Sequence, residues 1–544
     1  MAALSEVPER AEPLAAWLQP SLQDTAGRDP LGLNTITLDR VLPQLVPGIL
    51  QLSERARYFS IYPWMLWQFA DRKRPARADE LDNFIRRREY ELCLAMKLCP
   101  HCSAYKAIGG NSAGPRVAAG EDPFARGLSV DSIKGGFGLY YRSPLVELGA
   151  VAPTGTPLGP EAVPTPIEVL LKDDRAMSLG RAFHESIRDT EYFQRYERTN
   201  DPIPRQVLED LAERICLCRL PRLPTERDAV RELMFYPASE EAAEACDARC
   251  RAFALYLALL DRDEGVAIHE GRFWQGVITQ FLLAPTADNR EGRTIAAWAA
   301  LAMKECMQDA LCSVWTSFCR TGVQSQGLDG VTQPELAEMI RGLADGDDLE
   351  LGGTRLKITP DEPALAVQRR AVAAARGLDW NDVRWWAADQ NTAIAGLVTL
   401  MVFVDRVPEP SRVHPLWTDI AGRHSEHQDG LLGVLSLLKA RLRVQPTVDE
   451  LLDWTVRRFL IGPHEAIAYS KLPKATFRFS WEESGRLRFF TPGGHGLDRF
   501  DPSDDRRGTM ALLSEDVGFW ERSEIQSPVL TDDGRDFVAE VFER

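Results

Sequence analysis

Lysine is scarce in this chain, with 10 residues against 54 arginines in a length of 544. That bias follows GC-rich bacterial coding more readily than a structural demand. Long apolar runs are missing too: the longest, residues 392–404, is 13 residues and stops at Asp405, well short of the roughly 20 that cross a bilayer. It is read as a buried helix. The first ten residues are acidic and interrupted by proline, where an export signal needs a basic start and an apolar centre. The expectation is a cytoplasmic protein with no membrane contact.

Several catalytic signatures fail as well. No GxxxxGK[ST] occurs, and the Gly109–Gly114 stretch runs into Pro115 instead of a lysine. No GxGxxG fingerprint follows a strand pattern, no GxSxG elbow is read anywhere in the chain, and no HExxH helix is present. An ATPase, a dinucleotide enzyme, an α/β-hydrolase and a zincin are therefore not expected. The ten cysteines are dispersed along the chain, so a disulfide framework is not expected in a reducing compartment.

Hydrophobic residues at 44% and charged residues at 26% are ordinary globular values. At about 100 to 200 residues per domain the length corresponds to roughly three or four units. Period-3.6 apolar patterns recur at 38–52, 79–98, 206–219, 242–260, 272–283, 294–319, 333–344, 382–404, 431–442 and 448–460. Thr332/Glu335 and Thr447/Glu450 have the spacing of capping boxes. Residues 56–69 carry six aromatics in 14 positions, a density that belongs to a core. By contrast, 109–127 reads as a small-residue loop and 352–363 as a linker. Near the end, Phe477, Phe479 and Trp481 alternate before a turn at 483–485 and a return through 486–489, the pattern of a β-hairpin.

The fold class expected is mostly α and multi-domain, with small α+β winged-helix-like units near the N-terminal region and at the C-terminus. The expected division is a tail at 1–35, a helical domain with a winged-helix-like unit at 36–190, a central helical domain at 191–350, a second helical region at 351–462, and a winged-helix-like domain with the hairpin at 463–544. An internal echo underlies the winged-helix expectation: Leu145 to Val151 followed by Gly180-Arg-Ala-Phe183 parallels Ser514 to Trp520 followed by Gly534-Arg-Asp-Phe537. In both, a helix is expected to end at a glycine, Gly149 or Gly518, and a Gly-Arg pair to open the next helix.

Asp29-Pro-Leu-Gly32, Val46-Pro-Gly-Ile49, residues 56–64, Gly135-Gly-Phe-Gly-Leu-Tyr-Tyr141 and Leu530-Thr-Asp-Asp-Gly-Arg535 together resemble a group of large, uncharacterised bacterial proteins of mobile and anti-phage defence gene clusters. The resemblance touches both ends of the chain and brings no catalytic motif. It implies a cellular context, not a mechanism.

Metal chemistry is invited at one spacing, Cys99-Pro-His-Cys102. A structural zinc needs four ligands. Cys216-x-Cys218 and Cys246-x3-Cys250 would supply the others only through an unusual fold, so no metal and no cofactor are expected, with Cys99 and Cys102 the nearest to a ligand pair. His424 and His427, with Asp429 and His414, read as a solvated loop, and the acid pairs Asp173-Asp174, Asp347-Asp348 and Asp504-Asp505 as capping or solvated groups.

The net charge of −16 opposes general coating of nucleic acid. Two stretches invert the sign: 71–88 at +3 and 454–490 at +4. The second holds Lys471, Lys474, Arg478, Arg486 and Arg488 on and before the hairpin, the candidate nucleic-acid contacts. The first offers a second basic patch, Arg72, Lys73, Arg74, Arg86, Arg87 and Arg88. The function expected is a non-enzymatic component of an anti-phage defence complex, engaging DNA or a DNA-bound partner through winged-helix-like modules on a helical scaffold. The alternatives are a pure assembly subunit recruiting a separate ATPase or nuclease, and an enzyme with a non-standard metal site.

Overall fold

The computed structural model describes residues 29–72, 77–102, 106–159, 161–262, 270–326, 330–471, 477–490, 506–523 and 527–543. Among them the structure is mostly helical, with five two-stranded antiparallel sheets. It divides into two compact units, each discontinuous in sequence: described residues within 1–43 and 271–503 form the first, and those within 44–270 and 504–544 the second. The boundary at 503/504 falls inside the segment 463–544, so the aromatic hairpin and the last two helices belong to different units.

The first unit is built on the helix Arg290–Ser325, 36 residues long and buried along most of its length. Ala393–Arg406, Pro415–Gly422 and Trp380–Gln390 pack on it. The expected single helix over 382–404 is two helices, broken at Asn391, which takes the left-handed conformation. Lys304 is buried on the long helix, where its ammonium donates to Leu33 O at 2.7 Å, Thr37 Oγ1 at 2.7 Å and Gln308 Oε1 at 2.5 Å and pairs with Glu305 at 2.9 Å. These bonds fasten residues 33–37 to the core. Asp29 adds an anchor, its carboxylate accepting from the amides of Asn34 and Thr35. The described end of the expected tail is thus a packed element, with Leu31 and Leu33 fully buried.

Both predicted capping boxes form, at Thr332/Glu335 and Thr447/Glu450, and a third, Asp379/Asp382, opens the helix Trp380–Gln390. The expected linker at 352–363 is instead largely a hairpin: Gly346–Leu351 pairs with Thr354–Ile358. Its turn residues Gly352 and Gly353 have φ of 55° and 74°, the pair of positive angles that a tight hairpin turn demands.

In the second unit the aromatic segment becomes the helix Tyr58–Asp71, and its rings meet the Gly135–Tyr141 block: Tyr58 and Tyr141 centroids lie 5.1 Å apart, Tyr62 and Phe137 5.2 Å. Glycine is required at that block because the backbone wraps a buried carboxylate. Glu89 accepts from the amides of Gly136 (3.1 Å) and Phe137 (2.8 Å), and a Cβ at Gly135 would stand 2.4 Å from its Oε2. Burial pushes Glu89 up from the usual carboxylate range, against these donors and the hydroxyls of Ser129 and Tyr62. Residues 110–118, expected as loop, form the helix Gly110–Ala118.

The internal echo has a structural counterpart. Arg142–Glu147 and Arg507–Asp516 are both followed by a glycine with φ of 76°. Beyond it the amides of Ala150 and Phe519 donate five residues back, to Leu145 O at 2.8 Å and Ser514 O at 2.9 Å, which is the Schellman closure. Each then enters a small antiparallel pair, Val151–Ala152 with Val169–Leu170 and Trp520–Arg522 with Pro528–Leu530, and a capped helix, Asp174–Ile187 or Asp532–Glu543. A second hairpin, Pro157–Leu158 with Val163–Pro164, lengthens the first connection. One detail differs from expectation: Gly180-Arg181 lies mid-helix and does not open it. There Gly180 lets the helix approach the Pro63 backbone, 3.4 Å from an added Cβ.

Candidate metal centre and the predicted basic surfaces

The hairpin predicted to lie along a phosphate backbone is Phe479–Trp481 paired with Leu487–Phe489. Phe477, Phe479 and Trp481 are buried as expected, but so is Ser480 on the opposite face, at 1% exposure. Phe318 of the long helix contacts both strands, its ring 5.5 Å from Phe479 and 5.3 Å from Phe489, and Val331 bridges to Leu487. The hairpin is a core wedge. Its basic residues bond within the chain: Arg486 donates to Gly330 O at 3.1 Å, Arg488 pairs with Glu482 at 3.0 Å, and Lys471 donates to Asp29 O at 3.0 Å. The Arg478 amide donates to Nε2 of the buried His464 at 2.9 Å. Lys474 lies outside the described residues.

The other predicted patch turns inward. Arg88 is buried and pairs with Glu91 and Glu197, and Arg72 also pairs with Glu197. Arg87 and Arg126 reach Glu91 at 2.9 and 2.6 Å. Burial opposes ionisation of Glu91, yet Arg88 and Arg126 hold it below the usual carboxylate range. Arg88 therefore belongs to the core and offers nothing to a solvent-borne phosphate. Arg86 reaches exposed Asp131 at 3.2 Å, and Lys73 and Arg74 lie outside the described residues.

The convergence that the sequence reading discounted is the one that forms. The helix Ala78–Lys97 ends just before Cys99, and the helix Arg205–Ile215, packed against it, ends just before Cys216. Cys99, Cys102, Cys216 and Cys218 meet there, with all four Sγ atoms within 4.8 Å of one another. Cys99 and Cys218 stand 3.8 Å apart, Cys102 and Cys216 3.4 Å. Cys99 and Cys216 are buried; Cys102 and Cys218 are half-buried. Cys246 and Cys250, the other pair considered, are not members.

The cluster is framed by ion pairs. Fully buried Arg57 donates to Cys216 O at 2.7 Å and forks onto Glu226 at 3.0 and 2.8 Å. Arg219 donates its amide to the same carbonyl and its guanidinium to Glu213, which also meets His101 at 2.9 Å. Hydrogen bonding with Cys218 and then burial push the Cys216 thiol up. Four thiolates at these separations can chelate one cation and leave no coordination position open.

One catalytic spelling was missed in the sequence: Gly110-Asn-Ser-Ala-Gly114 reads GxSxG. Ser112 borders a cavity of about 380 Å³ with Arg55, Lys106 and Tyr141. It sits inside the first turn of Gly110–Ala118, donates to Ser129 O at 2.7 Å, and has no histidine in the cavity lining. That is not the strand-to-helix elbow in which such a serine attacks. Near the histidine loop, His414 caps Pro415–Gly422, its Nδ1 accepting from Leu416 N at 3.1 Å.

No helix among the described residues is long and apolar enough to cross a membrane. Searched against protein families, curated proteins and solved structures, the chain finds no match.

Proposed function

We propose that this protein is a non-enzymatic helical scaffold that acts as a subunit of a cytoplasmic protein assembly. The observation that carries the reading is the hairpin, whose aromatic face, Phe479 and Phe489, is buried against Phe318 of the long helix. A wing on DNA needs a strand face and free cations at the surface, whereas half-exposed Arg486 and Arg488 engage Gly330 O and Glu482 of the same chain and Arg88 is buried on Glu197. The residues resembling defence-cluster proteins support a setting in which a separate ATPase or nuclease supplies the chemistry. Tagged protein recovered from its own cells, treated with nuclease and washed at high salt, is expected to retain defined protein partners in fixed ratio. Loss of every partner on nuclease treatment overturns the reading.

A second reading has its own support. The second unit twice runs helix, left-handed glycine, small antiparallel pair and helix, the repeat on which the winged-helix expectation rests. Under that reading the protein engages DNA or a DNA-bound partner through this unit, not through the aromatic hairpin.

A further inference from the structure

We infer that Cys99, Cys102, Cys216 and Cys218 bind a single zinc ion, which staples the ends of two helices in the second unit. The inference goes beyond the assembly reading and does not rest on it.

Geometry separates the ligand classes. An ion held at about 2.3 Å by four sulfurs sets them roughly 3.8 Å apart along the edges of a tetrahedron. The separations of 3.8 and 3.4 Å, with every pair inside 4.8 Å, match that figure. A four-iron cluster spreads its cysteine sulfurs to roughly 6 Å, too wide for this cage. A disulfide requires about 2.0 Å, and all four cysteines are free. Soft thiolates select zinc over the hard divalent ions, and a complete four-thiolate set is the structural type, not the catalytic type that keeps a water.

Both helices end at the cluster, which sets the two ligand pairs against each other. Binding replaces four S–H protons, which pass to solvent, and leaves a cluster of net charge −2. The guanidinium of Arg57 on the Cys216 carbonyl, with Arg219 beside it, balances part of that charge and fixes the ligand loop. The ion joins segments 114 residues apart at Cys102 and Cys216, a long loop to close.

The test uses the full chain, expressed without a histidine tag. Elemental analysis is expected to find about one zinc per chain, falling below about a tenth in Cys102→Ser and Cys216→Ser and unchanged in Cys250→Ser. Because a cysteine variant can fail to fold, wild-type protein is also stripped with chelator and titrated with Co(II), where the intense visible bands of a tetrahedral thiolate site should saturate at one equivalent. Iron in place of zinc, a Cys102–Cys216 disulfide in the native mass spectrum, or wild-type protein that neither contains zinc nor develops the cobalt bands would each overturn the inference.

Discussion

Gly149 and Gly518 hold one backbone state, φ of 76° in both, at the same place in two helix-to-hairpin turns. Neither position tolerates a side chain cheaply, since a left-handed alanine costs about 1 to 2 kcal/mol. Their surroundings differ. An added Cβ at Gly518 meets nothing nearer than Arg231 Nη2 at 3.5 Å, while one at Gly149 would stand 2.9 Å from the Ala238 Cβ. Chemical denaturation should therefore show Gly518→Ala losing about that backbone cost and Gly149→Ala losing more. Gly342, in the helix Gln333–Leu343 with open space around it, should respond oppositely, gaining about 0.5 to 1 kcal/mol as alanine. Equal effects at the three positions would contradict this account of the turns.

Glu465 gives the first unit a pH-dependent stability. Burial raises its carboxyl from 4.5 to about 7, against one amide bond from Trp481, and its Oε2 has no hydrogen-bond partner among the described residues. Because the folded state holds this proton more tightly than the unfolded chain, its contribution is full below pH 4.5 and is lost as pH rises through about 7. His464 acts in the reverse sense, since burial lowers it from 6.5 to about 3 and its contribution is lost as pH falls through that range. Comparing Glu465→Gln with wild type isolates the acid. The variant's relative stability should climb between pH 4.5 and about 7 and then level off; a flat difference would place the carboxylate in an ordinary environment.

Arg57 links the buried ion pair with Glu226 to the cysteine loop. Its removal leaves Glu226 uncompensated in the core, a loss of about 3 to 5 kcal/mol. It also removes one of the two donors on the Cys216 carbonyl, and loosening a supporting contact of this kind lowers metal affinity roughly 10- to 100-fold. Competition of Arg57→Ala and wild type against a zinc chelator measures the second effect separately. Unchanged chelator competition in a folded variant would detach Arg57 from the ligand loop.

Much of this fold was legible in local pattern. Capping boxes, the helical periods and the two glycine turns depend on neighbours in sequence, and Thr332, Thr447, Gly149 and Gly518 all behave accordingly. Pairings across long separations were not legible. The CxxC and CxC segments carry no sign of each other, because packing of Ala78–Lys97 on Arg205–Ile215 brings them together. The surroundings of Arg88 were hidden for a related reason: a run of arginines does not reveal that Glu91 and Glu197 are buried beneath it. The 346–358 hairpin was hidden by two glycines that read as a linker.

Trp481 and Arg486 separate the structural role of the aromatic hairpin from a binding role. Trp481→Ala removes a buried indole and should cost about 3 to 5 kcal/mol. Arg486→Ala removes a partly exposed contact to Gly330 O and should leave the fold within about 1 kcal/mol. Thermal unfolding of the two variants checks the ordering, and a larger loss for Arg486→Ala would reverse it.

The most direct test of the scaffold reading is the salt dependence of DNA binding by wild type and the Arg478→Ala/Arg486→Ala variant. Each phosphate neutralised by a protein cation contributes about one unit to the slope of log affinity against log salt. If the hairpin is a core wedge, the two proteins share the same weak affinity and the same slope. A slope reduced by about two units in the variant, with affinity lowered across sequences, would place those arginines on phosphate and contradict the account.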